Sequence, residues 1–428
     1  MADRKVVFYG AGENAEIKHN FTLKRIGARE PVAFCDRDPR KQGRHFLGLP
    51  VVSFADAKTQ FGNFDVYVTA NEKYAPGIID YLLKNDLRPE NIINYEPVGE
   101  RKGCASLDSD MTLIFSGDHL EFYHCCIGGK LATFSEASPK TILNNTDFNG
   151  DIFSKVLCEK YKLQQDIEQS HPPQTCIKCW WHKQIEYHYT QSKLRKIGMG
   201  GFAPCNFSCY NCGNVMQWEK CTYNAWDILL DCFEIIEDSG VMADDCLVTL
   251  SLGEHTVAKE HDAVLKRLCK YPLIIYSNAY VWSEPTAEAL AGGNTWLRVS
   301  VDAGTRATFA KIKGVDGYDR VCENLEHYAK HGTLVLKYIL FSGQNDDDAD
   351  LYGFMELAEK LGAKVNLSQD YGGDCGLSKK TLEKISEIII HFQDKGKLYG
   401  VEFRASEREH LKSLIKKMGG GSSPKIDL

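Results

Sequence analysis

At 428 residues, 43% of them hydrophobic and 25% charged, the chain has the composition of an ordinary globular protein long enough for two or three domains. No apolar run approaches the roughly 18 residues that a membrane-crossing helix needs, and a formal net charge of −7 without a Lys/Arg-rich tract argues against a nucleic-acid partner. The N-terminus, Met1-Ala2-Asp3-Arg4-Lys5, lacks the layout of a signal peptide, so a cytoplasmic location is expected, where 16 cysteines read as metal or redox ligands before disulfides.

The first element is a strand, Val6–Tyr9, followed by Gly10-Ala11-Gly12-Glu13-Asn14-Ala15. This G-x-G-x-x-A turn opens a helical stretch marked by Ile17, Phe21 and Ile26. A second strand, Pro31–Cys35, ends at Asp36, about where a dinucleotide fold places the acid that meets its ribose. Strands over Asp65–Val68 and Ile92–Tyr95, with a helix from Ala75 to Asn85, complete a small α/β unit over residues 1–100. Two readings stay open: glycines that only permit a tight turn, or a nucleotide site at Gly10, Gly12 and Asp36 with phosphate at the helix N-terminus. The run from Ala33 to Gly43, then Leu47-Gly48-Leu49-Pro50-Val51, resembles the N-terminal Rossmann-like domain of sugar O- and N-acyltransferases of the sialic-acid and bacillosamine pathways. That resemblance implies a nucleotide or nucleotide-sugar ligand. The hexapeptide repeats of those enzymes are absent here, so acyl transfer is not carried over.

Residues 101–194 are less regular and rich in cysteine, with Cys125-Cys126 early and Cys176-Ile177-Lys178-Cys179 late. A second iron–sulfur cluster would need four thiolates, or three plus a substrate group. Cys176 and Cys179 lead the candidates, then Cys125 or Cys126, with Cys158 and Cys104 behind them. A structural zinc and buried free thiols remain the competing readings.

From residue 195 short apolar runs alternate with longer amphipathic ones, as parallel βα units do. The expected strands are Ile197–Gly201, Leu247–Leu252, Leu273–Tyr276, Leu297–Val301, Leu334–Phe341 and Lys364–Leu367. Six such units fit a partial (β/α)6 TIM-type barrel over 195–416, with a flexible tail over 417–428. In the loop after the first of these strands stand Cys205, Cys209 and Cys212, spaced CxxxCxxC, at the strand end where such folds place chemistry. Three thiolates can hold three irons of a [4Fe–4S] cube and leave the fourth open, whereas structural zinc wants four ligands.

This loop, with Asn206 after its first cysteine, resembles the cluster loop of the radical S-adenosylmethionine (radical SAM) superfamily. Later strand ends resemble that family in the same order. Ser251-Leu252-Gly253-Glu254 is similar to its GGE motif, with Leu252 in place of the first glycine, and implies that Glu254 receives the amino group of SAM. Tyr276-Ser277-Asn278-Ala279 is similar to its threonine-asparagine-glycine turn. Arg298, Ser300 and Asp302, expected on one strand face by alternation, together with Lys313-Gly314 and Tyr318-Asp319, resemble the segment that contacts the ribose and carboxylate of SAM. Lys337 reads either as a partner of the SAM carboxylate or of the substrate, or as a lysine snorkelling from a strand end. Gly343-Gln344-Asn345-Asp346 resembles a family turn and equally reads as a helix N-cap. The place before the third cysteine, commonly aromatic and near the adenine, holds Asn211, with Tyr210 one place earlier. Cys375 reads as a hydrogen donor, a cluster ligand or an incidental thiol.

The resemblance implies a [4Fe–4S] cluster, SAM, and a flavodoxin- or ferredoxin-type electron donor. It further implies reductive cleavage of SAM to a 5′-deoxyadenosyl radical that abstracts hydrogen from a substrate. The order of the middle cysteines resembles part of the SPASM-type auxiliary-cluster domain, which in that family follows the barrel rather than preceding it. With the N-terminal unit, the expected substrate is a small molecule, a sugar or nucleotide-sugar conjugate, undergoing oxidation, epimerisation or rearrangement. A peptide-modifying maturase is the alternative, and a non-catalytic nucleotide-binding or redox-sensing iron–sulfur protein is the third reading.

Overall fold

The computed structural model describes residues 4–17, 19–70, 74–93, 100–104, 107, 109–116, 119–123, 130–135, 159–160, 162–163, 166–167, 182–186, 194–210, 212, 224–238, 240–370 and 376–418. They form an α/β fold with parallel-strand sheets in two compact units. The first comprises Met1–Ile114, His119–Gly198 and Asp231–Cys246; the second Phe115–Asp118, Met199–Leu230 and Leu247–Leu428.

The first unit begins with a five-stranded sheet of β1 (Lys5–Tyr9), β2 (Glu30–Cys35), β3 (His45–Phe46), β4 (Leu49–Val52) and β5 (Asp65–Val68), in the order β3-β4-β2-β1-β5. β1 runs parallel to β2 and β5, and only β3 is antiparallel. The unbroken apolar run of β1 follows from burial on both faces. Alternation sends Val7 and Tyr9 into one core with Phe54 and Ile79, and Val6 and Phe8 into another with Phe34 and Ile26. The strand expected over Ile92–Tyr95 is not formed among the described residues. The chain there makes a 3-10 turn, Pro89–Asn91, and keeps a single bridge from Ile92 to Val66. Later in the unit β6 (Glu100–Cys104) pairs antiparallel with β10 (His182–Glu186), setting Cys104 opposite His182. Between them in sequence lie β7 (Asp110–Ser116), β8 (His119–Tyr123) and β9 (Lys130–Ser135), of which β8 and β9 pair antiparallel. Cys125, Cys126, Cys158, Cys176 and Cys179 lie outside the described residues, as do Asn211, Cys375 and most of the tail.

Seven strands follow: β11 (Leu194–Gly201), β12 (Met242–Leu252), β13 (Leu273–Ser277), β14 (Thr295–Ser300), β15 (Thr333–Leu340), β16 (Lys364–Gln369) and β17 (Leu398–Glu402). They lie side by side in chain order, and each pair from β12 to β17 is parallel. Helices between them start at side-chain caps that bond the backbone N–H three residues on: Ser283, Thr305, Asp347 and Ser378. β17 was not expected from the sequence, because its central Gly400 reads as a strand breaker. The glycine is there for close approach, since a Cβ would stand 2.8 Å from Asn366 Nδ2.

The tightest contact in this unit brings the turn after β14 against the helix Asp348–Leu361. A Cβ on Gly304 would overlap the Asp350 carbonyl and sit 2.6 Å from Phe354 N, and Gly353 faces Gly304 in turn. Gly304→Ala should therefore lower stability by about 3 kcal/mol, read as a fall in the thermal midpoint of the full chain.

Candidate active site

The loop carrying the three cysteines is fixed at several points. Phe207 is buried between Tyr280 and Phe309, with ring centroids at 5.4 and 6.1 Å. Tyr210 N donates to Ile312 O at 2.7 Å, and Gly314, in left-handed backbone, admits the Ser208 carbonyl where a Cβ would come within 2.7 Å. On the other side Glu254 N donates to Pro204 O at 3.0 Å, and a Cβ on Gly253 would stand 2.6 Å from Ala203 O. Of the GGE-like motif, then, Gly253 is the glycine that close packing demands; Leu252 points into the core.

Cys205, Cys209 and Cys212 are free thiols, half-buried, and burial, with Cys212 adding to it, raises the pKa of both Cys205 and Cys209. Burial, with the neighbouring thiols adding to it, pushes Cys209 up to about 11, while the Lys313 ammonium pulls the other way. Among the described residues no group of three His, Cys, Asp or Glu closes on one ion-sized point. An iron–sulfur cube takes one thiolate per iron and so suits cysteines spread around a loop.

Glu254 is only 1% exposed, at the end of β12. Its Oε1 accepts from Thr256 Oγ1 (2.8 Å), Thr256 N (3.3 Å) and Ser277 Oγ (2.9 Å), and its Oε2 from Asn278 N (2.6 Å). Among the described residues no lysine or arginine pairs with it. His255, 3.8 Å away, is fully buried, both its ring nitrogens lack partners there, and burial holds it below the usual histidine range. The carboxyl group is thus held by hydrogen bonds from neutral donors. Asn278 ties this anion to the cysteine loop: its Nδ2 donates to Asn206 Oδ1 at 2.7 Å and faces Cys205 Sγ at 3.9 Å. At the next position, where the family turn has glycine, Ala279 holds a φ of 56°. Asn324 Nδ2 braces that turn through the carbonyls of Ala279 and Tyr280.

Asp302 departs from the strand alternation expected for it. It stands beyond β14 with a φ of 55°, 3% exposed, paired with the buried Lys313 ammonium. Its Oδ1 also accepts from Ile339 N at 2.7 Å, and Asn345 Nδ2 donates to its carbonyl at 2.8 Å. Arg298 and Ser300 do share a face. Arg298 is stacked on Tyr276 and Tyr399 and donates to Tyr276 Oη (2.8 Å), Asn366 Oδ1 and Glu402 Oε1 (3.2 Å). Ser300 pairs in register with Lys337, and Lys337 with Asn366. The Lys337 ammonium lies 4.0 Å from Glu402 Oε2, and burial draws its pKa down.

Residues 203–355 match the family model of the Radical SAM superfamily. Over that stretch the chain is similar to radical SAM proteins. Its similar proteins include a Probable GTP 3',8-cyclase from Saccharolobus islandicus, 26% identical over 162 residues, which are 37% of this chain and 51% of the relative. A protein of the same name from Saccharolobus solfataricus is 26% identical over 163 residues, with the same coverage. The chain thus spans about half the length of the curated relatives it matches. Among solved structures, Streptococcus suis SuiB bound to S-adenosylmethionine gives a TM-score of 0.40 at 10% identity, covering 74% of each chain. A radical SAM methyltransferase from Sphaerobacter thermophilus gives 0.36 at 15% identity, covering 48% of this chain and 64% of that one. The radical SAM family implies a [4Fe–4S] cluster and SAM. The residues present fit both: three grouped free thiols, with a cation beside Cys209, and next to them a buried carboxylate lacking a cation.

In the first unit the glycine turn borders a cleft of about 340 Å³, whose walls include Tyr9, Asn14, Thr69, Tyr74 and Ile78. Gly10 has a φ of 112° and lies against Thr69. Asp36 holds the turn itself: its Oδ2 accepts from Ala11 N and from Lys41 Nζ, both at 3.0 Å, while Lys41 also reaches Ala11 O. The sequence signals missed Tyr276, Asn366 and Glu402, whose roles depend on strands meeting across the sheet. They also gave no warning that Lys313 would be a buried partner rather than a surface lysine.

Removing one partner of a buried pair strands the other. Asp302→Ala should cost about 3–5 kcal/mol in denaturant unfolding, and Asp302→Ala with Lys313→Met should recover more than half of that loss. Ala279→Gly should raise stability by about 1 kcal/mol by relieving the left-handed backbone, seen as a higher unfolding midpoint.

Proposed function

We propose that the chain is a radical SAM enzyme in which Cys205, Cys209 and Cys212 hold a [4Fe–4S] cluster and Glu254 receives the ammonium of SAM. The observation that carries this reading is Asn278, whose backbone N–H bonds the buried Glu254 and whose side chain faces Cys205. A thiolate site and an ammonium site share one residue. When bound, the cluster and SAM supply one electron and a 5′-deoxyadenosyl radical, with methionine released, and the radical takes a hydrogen atom from the substrate. The protein's part is to hold both groups and keep water out. The four hydrogen bonds on Glu254 fix its oxygens before the ligand arrives. Phe207, packed between two rings, fixes the loop. Asn211 or another group meets the adenine, and Ser277 and Ser300 stand near enough to the same strand ends to serve SAM.

The substrate we propose is a sugar or nucleotide-sugar conjugate, undergoing oxidation, epimerisation or rearrangement. It is supported by the cleft beside Gly10, Gly12 and Asp36, in a sheet whose glycine turn follows β1 as in Rossmann-like nucleotide-binding domains. The name of the GTP 3',8-cyclase relatives adds nucleoside triphosphates to the ligands worth testing. A SPASM-like second cluster, using Cys176 and Cys179 with Cys125 or Cys126, is supported by the pairing of β10, just after the CxxC, with β6, which carries Cys104. A flavodoxin- or ferredoxin-type donor would deliver the electron.

The protein, reconstituted without oxygen and reduced with dithionite, should turn SAM into 5′-deoxyadenosine and methionine. A variant with Cys205, Cys209 and Cys212 all changed to Ala should form neither, and one that did would sink the reading. Iron should total about eight per chain for two clusters, and about four would remove the second. Nucleotide-sugars, GTP, NAD and peptides, compared by thermal shift, would identify the ligand of the cleft, and stabilisation by peptides alone would favour a peptide maturase.

A further inference from the structure

Two cations and one carboxylate face the interior of the strands β14 to β17. Arg298 is committed: stacked between Tyr276 and Tyr399, it donates to Tyr276, Asn366 and Glu402. Glu402 Oε1 is likewise taken, accepting from Arg298 and from Asn366 Nδ2 at 3.2 Å each. The nearby Asp302 and Lys313 neutralise each other. That leaves Lys337 as the surplus charge. Its closest carboxylate oxygen, Glu402 Oε2, is 4.0 Å away, beyond hydrogen-bond distance, and its side chain is one-fifth exposed. Two further donors on this face lack partners among the described residues, Arg298 Nε and Ser368 Oγ, both in residues more than nine-tenths buried. Ser368 lies two residues beyond Asn366 and pairs in register with Glu402, which puts it on the same side of the sheet as Lys337.

We infer that Lys337, with Ser368 and the edge of Arg298, forms a site for an anionic oxygen group, phosphate or carboxylate, carried by the substrate rather than by SAM. This rests on the reading of the second unit as the catalytic one. A desolvated cation beside unpaired donors gains most from an ionised acceptor, and lysine meets phosphate as a point charge on a stem that can adjust to it. The lowered pKa of Lys337 is in keeping with that environment. Glu254, the residue proposed to receive SAM's amino group, lies at the end of β12, three strands away from β15, which carries Lys337.

The test is calorimetric titration of the cluster-loaded full chain with inorganic phosphate and, separately, with acetate, each without and with saturating SAM. One anion should bind per chain, with an affinity that SAM changes by less than about three-fold. Lys337→Met should weaken it at least about ten-fold, and Lys337→Arg, which keeps the charge, should hold it within about five-fold of the unaltered protein. The tighter of the two anions identifies the class. Competitive displacement by SAM would give Lys337 to the SAM carboxylate and overturn the proposal. So would binding by Lys337→Met at full strength, or no binding of either anion to the unaltered chain. A chain that binds the anion yet releases no 5′-deoxyadenosine would instead refute the enzymatic reading and leave the anion site standing.

Discussion

Where a parallel strand ends, its next backbone N–H groups lose the neighbour that would have accepted them, and in a buried place each must find another acceptor. Around the cysteine loop that acceptor is repeatedly a side-chain carboxylate. Glu254 takes the N–H of Asn278, Asp302 that of Ile339, and Asp350 those of Gly304 and Thr305. Asn345 closes the set by serving Phe341 N with its oxygen and two carbonyls with its nitrogen. Each of these groups ties a strand end, or the turn after it, to a neighbouring element, Asp350 doing so from the helix Asp348–Leu361.

The charges of those acceptors are handled differently, and the difference is chemically informative. Asp302 has Lys313 and Glu402 has Arg298, so both are settled within the protein. Glu254 has only neutral donors, beside a histidine that burial keeps from taking up a proton. Asp350, equally buried, is likewise held by neutral donors alone, the N–H groups of Gly304 and Thr305 and the Thr308 hydroxyl, so what sets Glu254 apart is its place beside the cysteine loop. The same contrast among the cations separates Arg298, both of whose terminal nitrogens have acceptors, from Lys337.

Much of this could be read from residue order, and the failures have physical causes. The cysteine spacing, the glycine–glutamate step and the strand ends are local patterns, so Cys205, Glu254 and Asn278 were found together. Alternation found Arg298 and Ser300 but failed at Asp302, because the chain leaves the strand there in left-handed backbone. Glu402 was missed because Gly400 disguised its strand, the glycine being set by the side chain of Asn366 across the sheet. A residue chosen by a neighbour distant in sequence leaves no periodic trace. Asp36 follows β2 directly, and there it accepts from Ala11 and Lys41 in its own turn. Spacing alone cannot tell an acid that waits for a ligand from one that braces a loop.

The meeting of Gly304 and Gly353 leaves no room between the rim of the second unit and the helix Asp348–Leu361. Backbone meets backbone there with no side chain between the two glycines. Two residues from Gly304 stands Asp302, and through it Lys313, the cation beside Cys209. The helix Asp348–Leu361 thus seats the turn that leads from Asp302, and with it the acid that Lys313 is paired to.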